Sequence, residues 1–462
     1  MLFNSYEFIL LFLPISLAVY FYLNKRRMTL AGKSFLLAAS LFFYSWWNIA
    51  YLPLILTSMI VNYAIGTSFS QACSAKAIKK LSLLTFGIAA NVGLLAYFKY
   101  SDFLIENLNN VFGGEVSLLH LTLPLAISFF TFQQIAYLVD AYKGQTREYD
   151  FLNYAVFVSF FPQLIAGPIV HHREMMPQFS RARNLLLNYN HIGCGLLLFA
   201  VGLCKKVVIA DTFGLWADEG FAHPADLSFI QAWITSLSYT LQLYFDFSGY
   251  CDMAMGAALM FNIRLPINFN SPYKACNIQD FWRRWHITLG RFLKDYIYVP
   301  MGGNRHGFPR TALNLMITFF IGGLWHGAGW TFVLWGLAHG AALVLHRLWN
   351  ATGIKIHKAL SWFITFNFIN IAWVLFRASS IEDAANILRS MVNFPMAGEV
   401  NMLIVALILF ILLGVLRLPN SNALQRKEKI GIAEAVAIGG LFFIAFTTYE
   451  IRGSSEFLYF QF

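Results

Sequence analysis

The 462-residue chain is 58% hydrophobic and 17% aromatic but only 12% charged, with mean hydropathy +0.58. That composition excludes a soluble or disordered protein and indicates a polytopic membrane protein. The net charge of +10 comes from 33 Lys and Arg against 23 Asp and Glu. These basic residues fall in short loops between apolar runs, as the positive-inside rule requires, so the charge does not imply a nucleic-acid partner.

At about 20 residues per span, the sequence offers about eleven to thirteen membrane segments, and the fold class is an all-α polytopic membrane protein. Tyr6–Leu23 has no basic start and is followed at once by Lys25-Arg26-Arg27. It is expected to be a first span with its N-terminus outside rather than a cleaved signal. Ser34–Trp47 and Leu52–Phe69 are apolar runs separated by Asn48 and Pro53, and Lys76, Lys79 and Lys80 mark an inside loop. Leu81–Phe98 then crosses outward. Asp102–Leu119 is expected to be a polar connection, and Leu121–Ala141 returns to Lys143 and Arg147. Pro162, Gly167 and Pro168 make Phe151–Val170 a broken or re-entrant segment. The adjacent His171-His172 cannot share one helical face, which disfavours a metal site.

Tyr189–Ile209 is a span. Phe229–Phe261 is too long for one span and carries Asp246 and Asp252 in apolar company. Such carboxylates are costly unless paired, so they cap helix ends, pair with nearby arginines or serve function. Met402–Leu416 follows the polar stretch Ser379–Glu399. Arg417, Arg426, Lys427 and Lys429 put the next loop inside, so Ile432–Tyr449 crosses outward and the C-terminus is extracytoplasmic. The cysteines (Cys73, Cys194, Cys204, Cys251, Cys276) show no CxxC spacing and read as small apolar packers. No internal repeat appears. The chain reads as one membrane domain over 1–462, with 262–310 as a cytoplasmic, interfacial basic segment and 451–462 as an extracytoplasmic tail.

Within the basic segment, Phe281, Trp285, Leu289, Phe292 and Tyr296 recur at helical spacing, while Arg284, Thr288, Arg291 and Asp295 form another face. This predicts an amphipathic helix along the membrane surface, with His286 turned toward the bundle. The basic surface formed by Arg283, Arg284, Arg291 and Arg305 suits an anionic, phosphate-bearing substrate. Gly302-Gly303-Asn304-Arg305 offers backbone donors to the same group. Positive-inside topology alone also accounts for most of these charges.

The most informative stretch is Gly322-Gly323-Leu324-Trp325-His326-Gly327-Ala328-Gly329-Trp330, between the apolar runs Leu313–Ile321 and Thr331–Leu345. An ionisable imidazole at that depth is expensive and usually functional. The surrounding glycines either let the backbone leave helix geometry or allow close helix packing. His339 and His346, seven residues apart, share a face of a regular helix. His326, about 220° round from His339, faces elsewhere, and no HExxH occurs, so a metal is not expected.

Trp282-Arg283-Arg284-Trp285-His286-Ile287-Thr288-Leu289, Asp295-Tyr296-Ile297-Tyr298-Val299-Pro300 with Gly302-Gly303-Asn304-Arg305, and Leu324-Trp325-His326-Gly327 closely resemble the membrane-bound O-acyltransferase family. Phe245–Asp252 and Arg264–Tyr273 match it too, and Tyr298–Arg305 resembles the alginate O-acetylation branch rather than the D-alanylation branch. The resemblance spans essentially the whole chain. It implies a ring of helices around a thin catalytic core, entered by a cytoplasmic-side funnel, where a cytoplasmic acyl donor meets its acceptor. His326 matches the family's catalytic histidine and His286 its second core histidine. The implied activity is transfer of acetyl from acetyl-CoA, as donor substrate with no bound cofactor, for O-acetylation of an extracytoplasmic polysaccharide. The resemblance further implies that this chain sits in a bacterial inner membrane and that a periplasmic or membrane-anchored partner of the SGNH-hydrolase type completes delivery. Another acyl group, a lipid or protein acceptor, or a transporter built on the same broken helices are the competing readings.

The chemistry fits independently. Acyl transfer to a hydroxyl needs a base of near-neutral pKa, and His326 is the expected one. His286 then orients the donor or stabilises the oxyanion. The ending Phe457-Leu458-Tyr459-Phe460-Gln461-Phe462 resembles the FxYxxF tail of a small partner peptide in the D-alanylation system, which implies Tyr459 as an acyl carrier. An interfacial aromatic anchor and the remnant of a protease-site tag are the other readings, although Phe457 stands where such a site needs Asn.

Overall fold

The computed structural model describes residues 1–71, 77–146, 150–393, 401–427, 429–453 and 455–458. Cys73, Lys76, Arg147 and Tyr459 lie outside the described residues. Every regular element among the described residues is helical. Seven helices are long and apolar enough to cross a bilayer, and Met402–Arg417 is a shorter apolar one. The remaining segments of the eleven to thirteen counted in the sequence fold as shorter or more polar helices, such as Thr29–Ser45 and Ile127–Tyr142.

Several boundaries follow directly from local chemistry. Asn48 caps a short turn by accepting from the Ala50 amide, which separates Thr29–Ser45 from Leu52–Gln71. Phe151–Ser159 stops at Phe160, which turns to ψ 109°, and Phe161–Leu164 is a separate turn with Pro162 in its first two positions, where a missing N–H costs nothing. The segment is therefore broken, as its prolines and glycine indicate.

Two expectations are corrected. Asp102–Leu119 is not a connection throughout, because the Ala77–Phe112 helix runs on through Asp102 and ends only at Gly113, in the left-handed region at φ +66°. Asp102 instead accepts from the amides of Leu119 and His120, tying the connection back to the helix. Phe229–Met260 is one unbroken helix of 32 residues, about 48 Å long. No proline interrupts it, and it ends at Asn262, also left-handed at φ +62°.

The chain forms two compact units interleaved in sequence. The first comprises Met1–Val201, Tyr250–Pro266 and Leu424–Leu441. Its core holds the rings of Phe8, Phe43 and Phe161, and its buried Asn62 and Asn91 exchange amide hydrogen bonds, which satisfies both side chains where water is excluded. Here too His171 Nδ1 stands 3.7 Å from Asp140 Oδ2.

The second unit comprises Gly202–Gly249, Ile267–Ala423 and Phe442–Phe462. Trp285, Trp335 and Trp373 are its largest fully buried side chains. Its centre is the hairpin of Gly307–His326 and Trp330–Thr352. The two backbones touch: a Cβ at Gly323 would lie 2.4 Å from the Phe332 carbonyl oxygen, and one at Gly336 would lie 2.3 Å from that of Phe319. Both glycine readings therefore hold, since the helix ends at His326 and the hairpin backbones meet directly where Gly323 and Gly336 cross.

Candidate functional site

The Phe281–Tyr296 periodicity does not build one surface helix. Ile278–Trp282 is a single turn, and Ile287–Leu293 is a second short helix separated from it by residues 283–286. A π-helical turn, Lys294–Tyr298, follows. The break is His286 itself, left-handed at φ 43°, ψ 53°, a conformation costing a non-glycine residue about 1–2 kcal/mol. Such strain persists where surroundings over-determine it, and it clusters at functional sites. What holds it is the extended segment 268–270. The Ile287 amide donates to the Asn268 carbonyl at 2.9 Å, and the Asn270 amide to that of Arg284 at 2.9 Å. Thr288, expected on the polar face, is buried by this turn.

The side chain of Asn268 then sets the chemistry of His286. Its Oδ1 accepts from the Thr288 amide at 3.2 Å and the Thr288 hydroxyl at 2.9 Å, and lies 3.1 Å from His286 Nδ1. A backbone amide can only donate, so Oδ1 is the acceptor face and His286 Nδ1 must carry the proton. Neutral His286 therefore presents a lone pair at Nε2. Burial pushes its imidazole down to about 3, which keeps it neutral. This tautomer suits orienting a hydroxyl or thiol proton; an oxyanion would need a donor there.

His326 is the last residue of its helix and is buried. Its ring centroid is 6.3 Å from that of His286, 4.9 Å from Trp325, and 5.1 Å from both Trp335 and Phe376. Phe247 closes the His286 side at 4.9 Å. Two imidazoles are thus boxed by aromatic rings that exclude water. His339 does not face away from them as a continuous helix would require. Because the helix stops at His326, Trp335 touches both rings, at 5.1 Å from His326 and 4.7 Å from His339. Trp282 Nε1 donates to His339 Nδ1 at 3.2 Å.

The residues expected to meet an anionic donor divide. Arg283, Asn304 and Arg305 are exposed, and Arg291 is half-buried. Arg284 is engaged, with Nε 2.9 Å from Asp280 Oδ1. Three of the four backbone donors expected of the glycine turn are already engaged. The amides of Gly302, Gly303 and Arg305 bond to Val299, Tyr298 and Gly302 carbonyls, and Asn314 Nδ2 clamps the carbonyls of Met301 and Gly303. An apolar cleft of about 970 Å³, lined by Ala342, Leu345, His346, Trp349, Lys355 and Phe368, lies at the other end of the hairpin and includes neither His286 nor His326.

Asp246 pairs with a lysine rather than an arginine: Lys206 Nζ is 2.7 Å from its Oδ1, both side chains being buried. Lys206 and Asn268 are the residues the sequence reading passed over. The adjacent Lys205 and Lys206 inside the Tyr189–Ala222 span were a legible signal; Asn268 stood only as one residue of the matched Arg264–Tyr273 stretch.

Membrane-length helices enclosing two water-shielded imidazoles define a membrane-embedded group-transfer enzyme. The comparisons make this particular. A model of the MBOAT, membrane-bound O-acyltransferase family matches residues 141–382. A peptidoglycan O-acetyltransferase of Helicobacter pylori is 54% identical over 423 residues, spanning 85% of this chain and 80% of its own. A probable alginate O-acetylase AlgI of Azotobacter vinelandii is 40% identical, spanning 85% and 78%. A teichoic acid D-alanyltransferase of Streptococcus thermophilus is 27% identical, spanning 57% and 69%. The chain belongs to the membrane-bound O-acyltransferase family, and it is a multi-pass acyltransferase.

Proposed function

We propose that this acyltransferase takes acetyl from cytoplasmic acetyl-CoA and passes it through Tyr459 to a hydroxyl of an extracytoplasmic polysaccharide. His326 is the general base and His286 orients the reacting proton. The Tyr459 oxygen attacks the thioester carbonyl, an O–C bond forms and the C–S bond breaks. The phenolic proton passes to His326 and on to the departing thiolate. A sugar hydroxyl then attacks the aryl ester, which forms the sugar ester and returns the phenol. A phenol of pKa about 10 lies between a thiol and a sugar hydroxyl as a leaving group, an order that suits transfer from thioester to aryl ester to sugar ester. Arg283, Arg291, Asn304 and Arg305 bind the phosphates of the donor. The chain sits in a bacterial inner membrane with both termini extracytoplasmic, and a periplasmic SGNH-hydrolase-type partner completes delivery.

The observation that carries this reading is the pair of buried imidazoles 6.3 Å apart inside an aromatic box, because a dry site protects a thioester from hydrolysis. The relative at 54% identity favours a peptidoglycan acceptor and those near 40% favour alginate; the shared chemistry is an acetyl ester on a sugar hydroxyl. The test is polymer-bound acetate together with the mass of the Tyr459 peptide after incubation with acetyl-CoA. His326→Ala should abolish both signals while the protein remains in the membrane. Polymer acetylation that persists in His326→Ala would exclude the base; an active wild-type enzyme with no acetyl on Tyr459 would exclude the carrier.

A further inference from the structure

We propose that the buried Lys206–Asp246 pair is a latch that grips the main chain of residues 456–458 and so positions the segment carrying Tyr459; this rests on the carrier reading above. Lys206 Nζ hydrogen-bonds Asp211 and the tail backbone and forms an ion pair with Asp246. Nζ is 2.7 Å from Asp246 Oδ1, 2.8 Å from Asp211 Oδ1 and 2.9 Å from the Glu456 carbonyl oxygen. The other oxygen of Asp246, Oδ2, accepts from the Leu458 amide at 3.1 Å. The tail backbone therefore bridges the ion pair, with a carbonyl on the cation and an N–H on the carboxylate. Between these two bonds the Phe457 ring lies 5.0 Å from Lys206 Nζ, at cation–π distance, and both Phe457 and Leu458 are buried.

A lysine and an aspartate inside a membrane protein are costly unless every donor and lone pair is met, and truncating one partner leaves an uncompensated charge. Here the tail supplies two of the bonds that complete the set, and it does so through main-chain atoms. The local backbone is built for the contact. Lys206 lies on a π-helical turn, Lys205–Ala210, a feature frequent at functional sites. A Cβ at Gly249 would stand 2.7 Å from the Gly202 carbonyl oxygen and 3.1 Å from the Lys206 amide, so only glycine lets Lys206 come this close to the helix of Asp246.

The latch also adjoins the imidazoles. Phe247 follows Asp246 in the same helix, and its ring is 4.9 Å from that of His286. Lys206 and Asp246 are positioning residues, acting through the tail they hold.

The experiment uses the full chain in nanodiscs, with hydrogen exchange across residues 455–462 and the acetyl mass on Tyr459 as separate readouts. Lys206→Met and Asp246→Asn should each speed exchange of the tail at least tenfold and lower acetyl-Tyr459 at least tenfold. Leu458→Pro removes the amide that Asp246 accepts, while also fixing φ there and restricting Phe457, and leaves the buried charges intact, so it should lower acetyl-Tyr459 even if the charge variants fail to fold; Leu458→Ala, which keeps the amide, should not. Unchanged tail exchange in the folded charge variants, or full acetylation in Leu458→Pro, overturns the latch. A wild-type enzyme that is active with Tyr459 never acetylated overturns the carrier reading instead, and the exchange data then judge the grip alone.

Discussion

His286 Nδ1 and Asn268 Oδ1 lie 3.1 Å apart, and this contact decides which nitrogen of the imidazole can accept a proton. Two Thr288 donors fix the direction of the Asn268 amide, so the tautomer of His286 is set by a residue eighteen positions earlier. Asn268→Leu removes the acceptor and is expected to lower acyl transfer about 10–100-fold, as loss of a group orienting a functional histidine does elsewhere. Asn268→Asp keeps the acceptor and adds a charge that raises the pKa of His286. Its rate should stay within about tenfold of wild type, with the acid limb of the pH–rate profile moved to higher pH. Identical profiles for wild type and the Asp variant would remove the tautomer argument.

The same burial makes stability depend on acidity. His286 is pushed down to about 3, against about 6.5 in an unfolded chain. Between those values the unfolded state binds the extra proton, so stability rises with pH. The contribution is complete above pH 6.5 and is lost as pH falls toward 3, by on the order of 2 kcal/mol at pH 5. His286→Gln should flatten that dependence. Thermal unfolding in nanodiscs at about pH 5 and about pH 7.5, which brackets the upper part of that window, reads it; an equal pH effect in both proteins contradicts the prediction.

How far the site was readable depended on the range of the contacts involved. His326 stood out because an imidazole bracketed by glycines in an apolar run is costly, and its helix does end there. His286 was recognisable as a buried residue, but the spacing of Phe281, Trp285 and Leu289 suggested one helix where the chain instead turns. Helical periodicity cannot see a left-handed residue whose strain is held by backbone bonds to residues 268–270. Asn268, Lys206 and the grip on Leu458 depend on pairings 18, 40 and 212 residues apart, which no local pattern encodes.

The hairpin glycines give a matched comparison. Gly336→Ala places a methyl 2.3 Å from the Phe319 carbonyl oxygen, a backbone atom that cannot swing aside. The two helices must part, which moves Trp335 off His326, and overpacking of this kind costs about 1–3 kcal/mol. Gly440→Ala meets nothing within 4 Å and should be neutral or slightly stabilising through helix propensity. Activity and melting temperature of the two variants are the measurements. Equal tolerance at both positions would show that the close approach does not hold the site.

The exposed arginines should act on donor binding and leave the chemical step alone. Arg283 and Arg305 are exposed and Arg284 is held by Asp280 at 2.9 Å, so neutralising each tests a different environment. Arg283→Gln and Arg305→Gln are expected to raise KM for acetyl-CoA about 3–10-fold each with kcat little changed, the signature of uniform binding energy lost. Because an exposed ion pair is worth about 0–1 kcal/mol, Arg284→Gln should cost little stability, and its effect on KM should be the smaller for having a charge already partly offset. Raising ionic strength screens exposed charges and should shrink the difference between wild type and the Arg283 and Arg305 variants. A fall in kcat with KM unchanged would place these arginines at the reacting atoms and not at the phosphates.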